Sequence, residues 1–183
     1  MPCYIALLRG INVGGHNKIA MADLRDLVAS LGFSDVKTLL QSGNLVFSGG
    51  RKTDKALESL LERETAKRLG VSADYIIRST AELQKVIAAN PFPQEAKDDP
   101  SHLVVMFLKS AATANDVKAL AELIKGPEAV RGEGTHLYIV YPAGIGTSKF
   151  TTALIEKNLG TRGTARNWNT VVKLLRLGSD LQK

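Results

Sequence analysis

The sequence predicts an α+β fold, a tandem pair of ferredoxin-like subdomains with antiparallel sheets and helices packed on one face. Three observations predict it. Apolar residues fall alternately into strand-length runs and into faces spaced three and four apart. Residues 1–90 read β-α-β-β-α-β, the ferredoxin-like order. After a linker at 91–101, which holds three of the six prolines and a cluster of charges, the order restarts over 102–183 and ends in a C-terminal helix.

In the first half, Tyr4–Leu8 is a short apolar run that suits a buried strand ending at Arg9. A glycine-rich stretch, Gly10–Lys18, follows. Met21, Leu24, Leu27, Val28 and Leu31 then share one helical face, and Gly32 supplies a stop. Val36–Leu40 and Leu45–Phe47 are strands joined by Gln41-Ser42-Gly43-Asn44, with Gly43 at the turn. Leu57, Leu60, Leu61 and Leu69 mark a second helix closed by Gly70, and Asp74–Arg78 is a further strand. Ser79-Thr-Ala-Glu82 is a capping box that opens a helix ended by Asn90-Pro91.

In the second half, His102–Leu108 is a strand and Val117, Leu120, Ala121 and Ile124 form a helix face. Ala129–Arg131 reads as a weak strand and Leu137–Tyr141 as a strong one. A helix runs through Phe150, Ala153 and Leu154 to Gly160. The last helix carries Trp168, Val171, Val172 and Leu175 and is expected to stop at Gly178. The crossing from strand to helix at Lys109–Thr113 is brief, whereas residues 10–20 take about twice that length for the equivalent connection. A loop longer than its geometry requires is a candidate functional loop.

Composition bounds the function. Of the residues, 44% are hydrophobic and 23% charged, which excludes a largely disordered or collagen-like chain. A net charge of +6 admits anionic partners, nucleic acid included, without requiring them. Cys3 is the only cysteine and has no internal partner. No apolar run approaches the roughly 18 residues of a membrane span. The first residues lack the basic-then-apolar order of a signal peptide. A cytoplasmic location with no membrane partner is expected.

Motifs for familiar chemistry are missing. Gly10 and Gly15 have P-loop spacing, but His16 and Asn17 stand where that loop needs Lys and Ser or Thr. There is no dinucleotide G-x-G-x-x-G, no H-E-x-x-H, no C-x-x-C and no G-x-S-x-G, so no metal site is expected and no cofactor is indicated. Asp98 and Asp99 lie in the linker, where solvation is their expected state. Aromatic residues are 5% of the chain, which counts against an RNA-recognition sheet.

Three polar stretches remain. The glycine loop lets backbone N–H groups point into one hollow, and Arg9, His16 and Lys18 add positive charge around it; a tight turn is the competing explanation. Gln41 and Asn44 offer donors and acceptors for a polar ligand, against plain turn chemistry for Ser42, Gly43 and Asn44. Thr161–Thr170 combines Arg162 and Arg166 with Asn167 at an expected N-cap, an arrangement that favours anions. Trp168, the only tryptophan, suits core packing, with stacking on a base or ring as the alternative.

Leu7–Lys18, Gln41–Phe47 and Thr164–Val171 together resemble the bacterial "domain of unknown function 1697" family, in order and spacing and across nearly the whole chain. The resemblance implies a tandem pair of α+β subdomains and no established activity, substrate or cofactor. Its motif positions fall on Arg9, Gly10, Asn12, Gly14, Gly15, Asn17, Lys18, Gln41, Ser42, Asn44, Arg166, Asn167 and Trp168. It assigns none of them a catalytic role.

The leading expectation is an anionic small molecule, a nucleotide or phosphorylated metabolite, held in a cleft between the subdomains. In that picture the three stretches converge and Arg9, Lys18 and Arg166 face inward. One alternative is nucleic-acid binding through a basic face, with affinity that falls steeply with salt. The other is a transferase-like enzyme with His16 as general acid or base. The oligomeric state is not legible.

Overall fold

The computed structural model describes residues 1–183 and has α+β architecture with two antiparallel sheets. The chain divides into two compact units, Met1–Lys85 with Lys173–Lys183, and Val86–Val172.

Unit 1 runs β1 (Cys3–Arg9), α1 (Met21–Ser30), β2 (Ser34–Thr38), β3 (Asn44–Ser48), α2 (Asp54–Leu69) and β4 (Asp74–Ser79), and α3 (Thr80–Ala88) begins in it. The sheet order is β2-β3-β1-β4, antiparallel throughout. Strand alternation places Tyr4, Ala6 and Leu8 on the face that packs with α1 and α2, against Leu24, Val28, Leu57 and Leu61. Four buried aliphatic side chains of this size remove enough apolar surface to contribute on the order of 8 kcal/mol before chain entropy is charged against them. β4 is an edge strand, and its outward N–H groups do not stay open. Glu62 Oε1 accepts from Tyr75 N at 2.9 Å and Glu58 Oε1 from Ile77 N at 3.0 Å, so α2 blunts the edge.

The helix ends follow the sequence. Thr53 caps α2, accepting from Ala56 N, and Gly70 closes it at φ +67°. Ser79 and Glu82 form the expected box, with Ser79 N donating to Glu82 Oε2 at 2.7 Å and Glu82 N to Ser79 Oγ at 3.2 Å.

Unit 2 holds α4 (Pro93–Asp98), β5 (Leu103–Ala112), α5 (Ala114–Glu122), β6 (Ala129–Val140), α6 (Thr152–Leu159), β7 (Gly163–Asn167) and the start of α7 (Trp168–Asp180). Its sheet order is β6-β5-β7. β5 lies between β6 and β7 as β1 lies between β3 and β4. Val104, Met106 and Leu108 share a core with Val117, Leu120, Phe150 and Ile155.

Four details differ from the sequence expectation. Residues 91–101, read as a linker, contain α4. The two strands expected at 129–131 and 137–141 are one strand, in which Gly132 at φ +125° and Gly134 at φ +77° turn the chain where the register with β5 shifts between Phe107 and Ala112. β7 was not expected at all, and pairing with β5 makes it a strand. Gly163 is required there, since a Cβ would stand 2.9 Å from Phe107 O. α7 also runs past Gly178, which lies against Thr80 and Cys3, where a Cβ would meet Thr80 Oγ1 at 3.1 Å.

Candidate functional site

The glycine loop leaves β1 at Arg9, whose guanidinium donates to Asp74 Oδ2 at 3.3 Å. Arg9 and Asp74 are also register partners across β1 and β4, so the ion pair is a cross-strand pair. Gly10, Asn12, Gly14, Gly15 and Asn17 all have positive φ. Asparagine tolerates this region better than other side-chain residues, and here each asparagine also holds the loop. Asn12 Nδ2 donates to Ile19 O at 3.0 Å and to Gln41 O at 2.8 Å, while its Oδ1 accepts from Ile19 N at 2.9 Å. Asn17 Nδ2 donates to Gly10 O at 3.0 Å, and Asn12 N donates to Asn17 O at 3.2 Å.

The β2–β3 turn is tied to the same place. Leu8 N donates to Gly43 O at 2.9 Å. Asn44 is fully buried, and its Nδ2 donates to Leu39 O at 2.7 Å and to Ser42 Oγ at 3.2 Å. Gly43 has no room for a side chain, because a Cβ would stand 2.7 Å from Ile11 Cδ1. Unit 1 therefore brings together Arg9, Gly10, Asn12, Gly14, Gly15, Asn17, Lys18, Gln41, Ser42 and Asn44 as two loops clamped by Asn12.

The exposed part of this double loop has a simple charge pattern. Gly14, Gly15, His16, Lys18, Gln41 and Ser42 are exposed. Lys18 forms no ion pair, and the His16 ring makes no hydrogen bond, so nothing orients that imidazole as a general acid or base. Residues 10–20 and 39–44 contain no carboxylate side chain. Val13 and Leu40, each next to a partner in the Asn12–Gln41 hydrogen bond, are strongly exposed, and Leu40 sits at φ +62°, which strains a branched side chain.

The third stretch belongs to unit 2. Arg166 pairs with Val105 across β5 and β7, so it points to the sheet face opposite the α5–α6 core. It is 7% exposed, and its guanidinium donates to Thr164 Oγ1 at 2.6 Å and to Ala165 O at 2.9 Å. Burial pulls its pKa down to about 10, which leaves it charged at neutral pH. Asn167 caps α7 as expected, accepting from Thr170 N at 3.0 Å. Trp168 is buried at the start of that helix.

The sequence reading missed one charged group in unit 1. Asp54 at the start of α2, Glu82 at the start of α3, Arg78 on β4 and Glu58 form an interacting set. Burial and the neighbouring Glu82 push Asp54 up to about 6. Glu82 moves the other way despite its burial, held down by hydrogen bonds from Ser79 and by Arg78. No sequence motif links positions on two helices and a strand. No group of three or more His, Cys, Asp or Glu side chains is arranged to hold a metal ion, and no helix is long and apolar enough to cross a membrane.

The family model described as "Protein of unknown function (DUF1697)" matches residues 1–138. Among solved structures, the chain is similar to the conserved bacterial protein SP0830 from Streptococcus pneumoniae, at 22% identity and a TM-score of 0.74, over 96% of this chain and 98% of that one. At that identity the likeness speaks for the fold. No curated protein gives a significant match.

Proposed function

The chain belongs to the DUF1697 family, and from that premise we propose that it binds a small anionic molecule at the clamped double loop of unit 1. The observation that carries the reading is the charge pattern of two loops held by their own asparagines. Lys18 and His16 are their exposed basic side chains, Arg9 being held by Asp74, and the loops have no carboxylate of their own. Exposed glycine N–H groups beside a lysine suit phosphate or carboxylate oxygens. A phosphorylated metabolite or nucleotide is the ligand class that fits this chemistry.

The order of elements and strands in unit 1 supports a ferredoxin-like reading, and the parallel position of β5 supports a duplication. The only cysteine is buried, so the fold needs no disulfide and is compatible with a reducing compartment such as the cytoplasm as the place of action.

The test is calorimetric titration with inorganic phosphate, nucleoside monophosphates and sugar phosphates, on the native protein and on Lys18→Ala. Binding that weakens at least fivefold in Lys18→Ala supports the reading. No binding of any of these at millimolar concentration would end it. A steep salt dependence with oligonucleotides in place of small phosphates would favour nucleic acid instead.

A further inference from the structure

Unit 2 contains a cavity of about 530 Å³ that none of the three sequence stretches touches. It lies between the segment that follows α5 and the loop from β6 to α6. Ile124, Phe150 and Leu154 give it apolar walls, and Lys125, Lys149 and Glu128 are its charged groups. The volume is that of a small-molecule site, and so is the balance of apolar wall to a few polar groups.

The loop that forms it is fastened from several directions. Tyr141 Oη donates to Phe150 O at 2.9 Å, Phe150 N donates to Ser148 Oγ at 3.0 Å, and Gly144 N donates to Tyr141 O at 2.9 Å. Ser148 Oγ in turn donates to Glu128 Oε1 at 2.6 Å. The carboxylate is thus engaged by the wall of the cavity, whereas Lys125 and Lys149 are exposed and enter no ion pair or hydrogen bond. Leu123, also at the cavity, is an exposed large hydrophobic residue.

We propose that this cavity is a binding site for a small amphipathic anion, its apolar body on Ile124, Phe150 and Leu154 and its carboxylate or related head group met by Lys125 and Lys149. Two unpaired cations against one engaged carboxylate leave the site net positive, and this sets the sign of the head group. A preformed wall lowers the ordering cost of binding. The site lies wholly in unit 2 and stands or falls independently of the double loop of unit 1.

The experiment uses the full chain and the fluorescent probe 8-anilinonaphthalene-1-sulfonate, displaced in turn by octanoate, octanol and octylamine. Octanoate is expected to displace the probe at concentrations at least tenfold below those needed for octanol, and octylamine to be the weakest. The double variant Lys125→Glu/Lys149→Glu is expected to lose at least tenfold in probe affinity. Lys118→Glu, on α5 and away from the cavity, is expected to bind as the native chain does. Ala143→Trp, which fills the cavity from an exposed position, checks the location without changing charge and is expected to exclude the probe. Matching thermal melts establish that the variants are folded. Equal displacement by octanoate and octanol would overturn the anion assignment. Unchanged binding in the double variant or in Ala143→Trp would overturn the site.

Discussion

Replacing Asn12 separates the two roles this residue holds in the double loop. Its side chain makes three hydrogen bonds to the main chain, two donated and one accepted. A net value of about 0.5–1.5 kcal/mol each, taken at about 0.7 because the site is only partly buried, gives about 2 kcal/mol. Its φ of +54° adds a further term for any replacement with a β-carbon, about 1 kcal/mol. Asn12→Gly is therefore expected to cost about 2 kcal/mol and Asn12→Ala about 3 kcal/mol. Asn12→Asp keeps the acceptor for Ile19 N but turns an oxygen toward Ile19 O and Gln41 O, so it is expected to cost at least as much as Asn12→Ala. Trp168 belongs to unit 2, so unit 1 is read through its own amides. The assay is hydrogen exchange at the amides of Leu24, Leu45 and Ile77, core positions of unit 1, across a urea series. Asn12→Gly within about 0.5 kcal/mol of the native chain would refute the clamp. Equal costs for the glycine and alanine variants would refute the backbone term.

Gly43→Ala forces a Cβ to 2.7 Å from Ile11 Cδ1 and 2.8 Å from Leu8 Cβ at a φ of +89°, and is expected to destabilise unit 1 by about 2–3 kcal/mol, read by the same exchange assay. Asp54, pushed up to about 6 from an ordinary value near 4, favours its protonated form in the native state. That contribution is complete below about pH 4 and is lost as pH rises through about 6. Asp54→Asn is accordingly expected to be the more stable protein at pH 8, by about 1 kcal/mol after solvent screening at this half-exposed group, with the gap closing below pH 5. Urea midpoints at pH 4.5 and 8 check it, and a gap that widens toward low pH would contradict the assignment. Arg166→Met leaves Thr164 and Ala165 without their guanidinium donor and is expected to lower unit 2 stability by about 2 kcal/mol or more, followed by Trp168 fluorescence in urea. Arg166→Lys should recover less than half of that, because an ammonium lacks the guanidinium fork.

The parts of the fold that were legible in the sequence are those fixed by local chemistry. The box at Ser79 and Glu82, the Gly70 stop and the Gly43 turn each follow from a residue type that does one thing at one place. What was not legible depends on partners far along the chain. Gly163–Asn167 has the composition of a loop, and only the adjoining β5 makes it a strand. The bend that joins 129–131 to 137–141 uses glycines, which in a sequence read equally well as a break. The set of Asp54, Glu58, Arg78 and Glu82 needs the packing of α2 and α3 around β4 before it exists at all. The unit 2 cavity leaves no signal in the sequence for a similar reason. Ala143 and Ser148–Phe150 carry no motif, and their hollow forms only when the residues after α5 lie beside them.

For the candidate site, the ambiguity lay in asparagine itself. An amide that recognises a ligand and an amide that imitates a peptide group have the same donors and acceptors. In this protein Asn12, Asn17 and Asn44 make main-chain hydrogen bonds, so the polar character of the motif is largely spent on shape. That division changes how substitutions at the motif should be read. Loss of an asparagine alters the positions of the glycine N–H groups and acts on any ligand indirectly, through geometry. Loss of Lys18 removes charge and leaves the clamp intact, so its effect on an anion weakens with added salt whereas the effect of an asparagine does not. A loop whose own asparagines hold its left-handed turns has little conformational freedom left to lose on binding. Selectivity at such a loop then rests on the few groups left exposed, and in the double loop those are the glycine backbone, Lys18, His16, Gln41 and Ser42, with no carboxylate among residues 10–20 and 39–44 to oppose an anion.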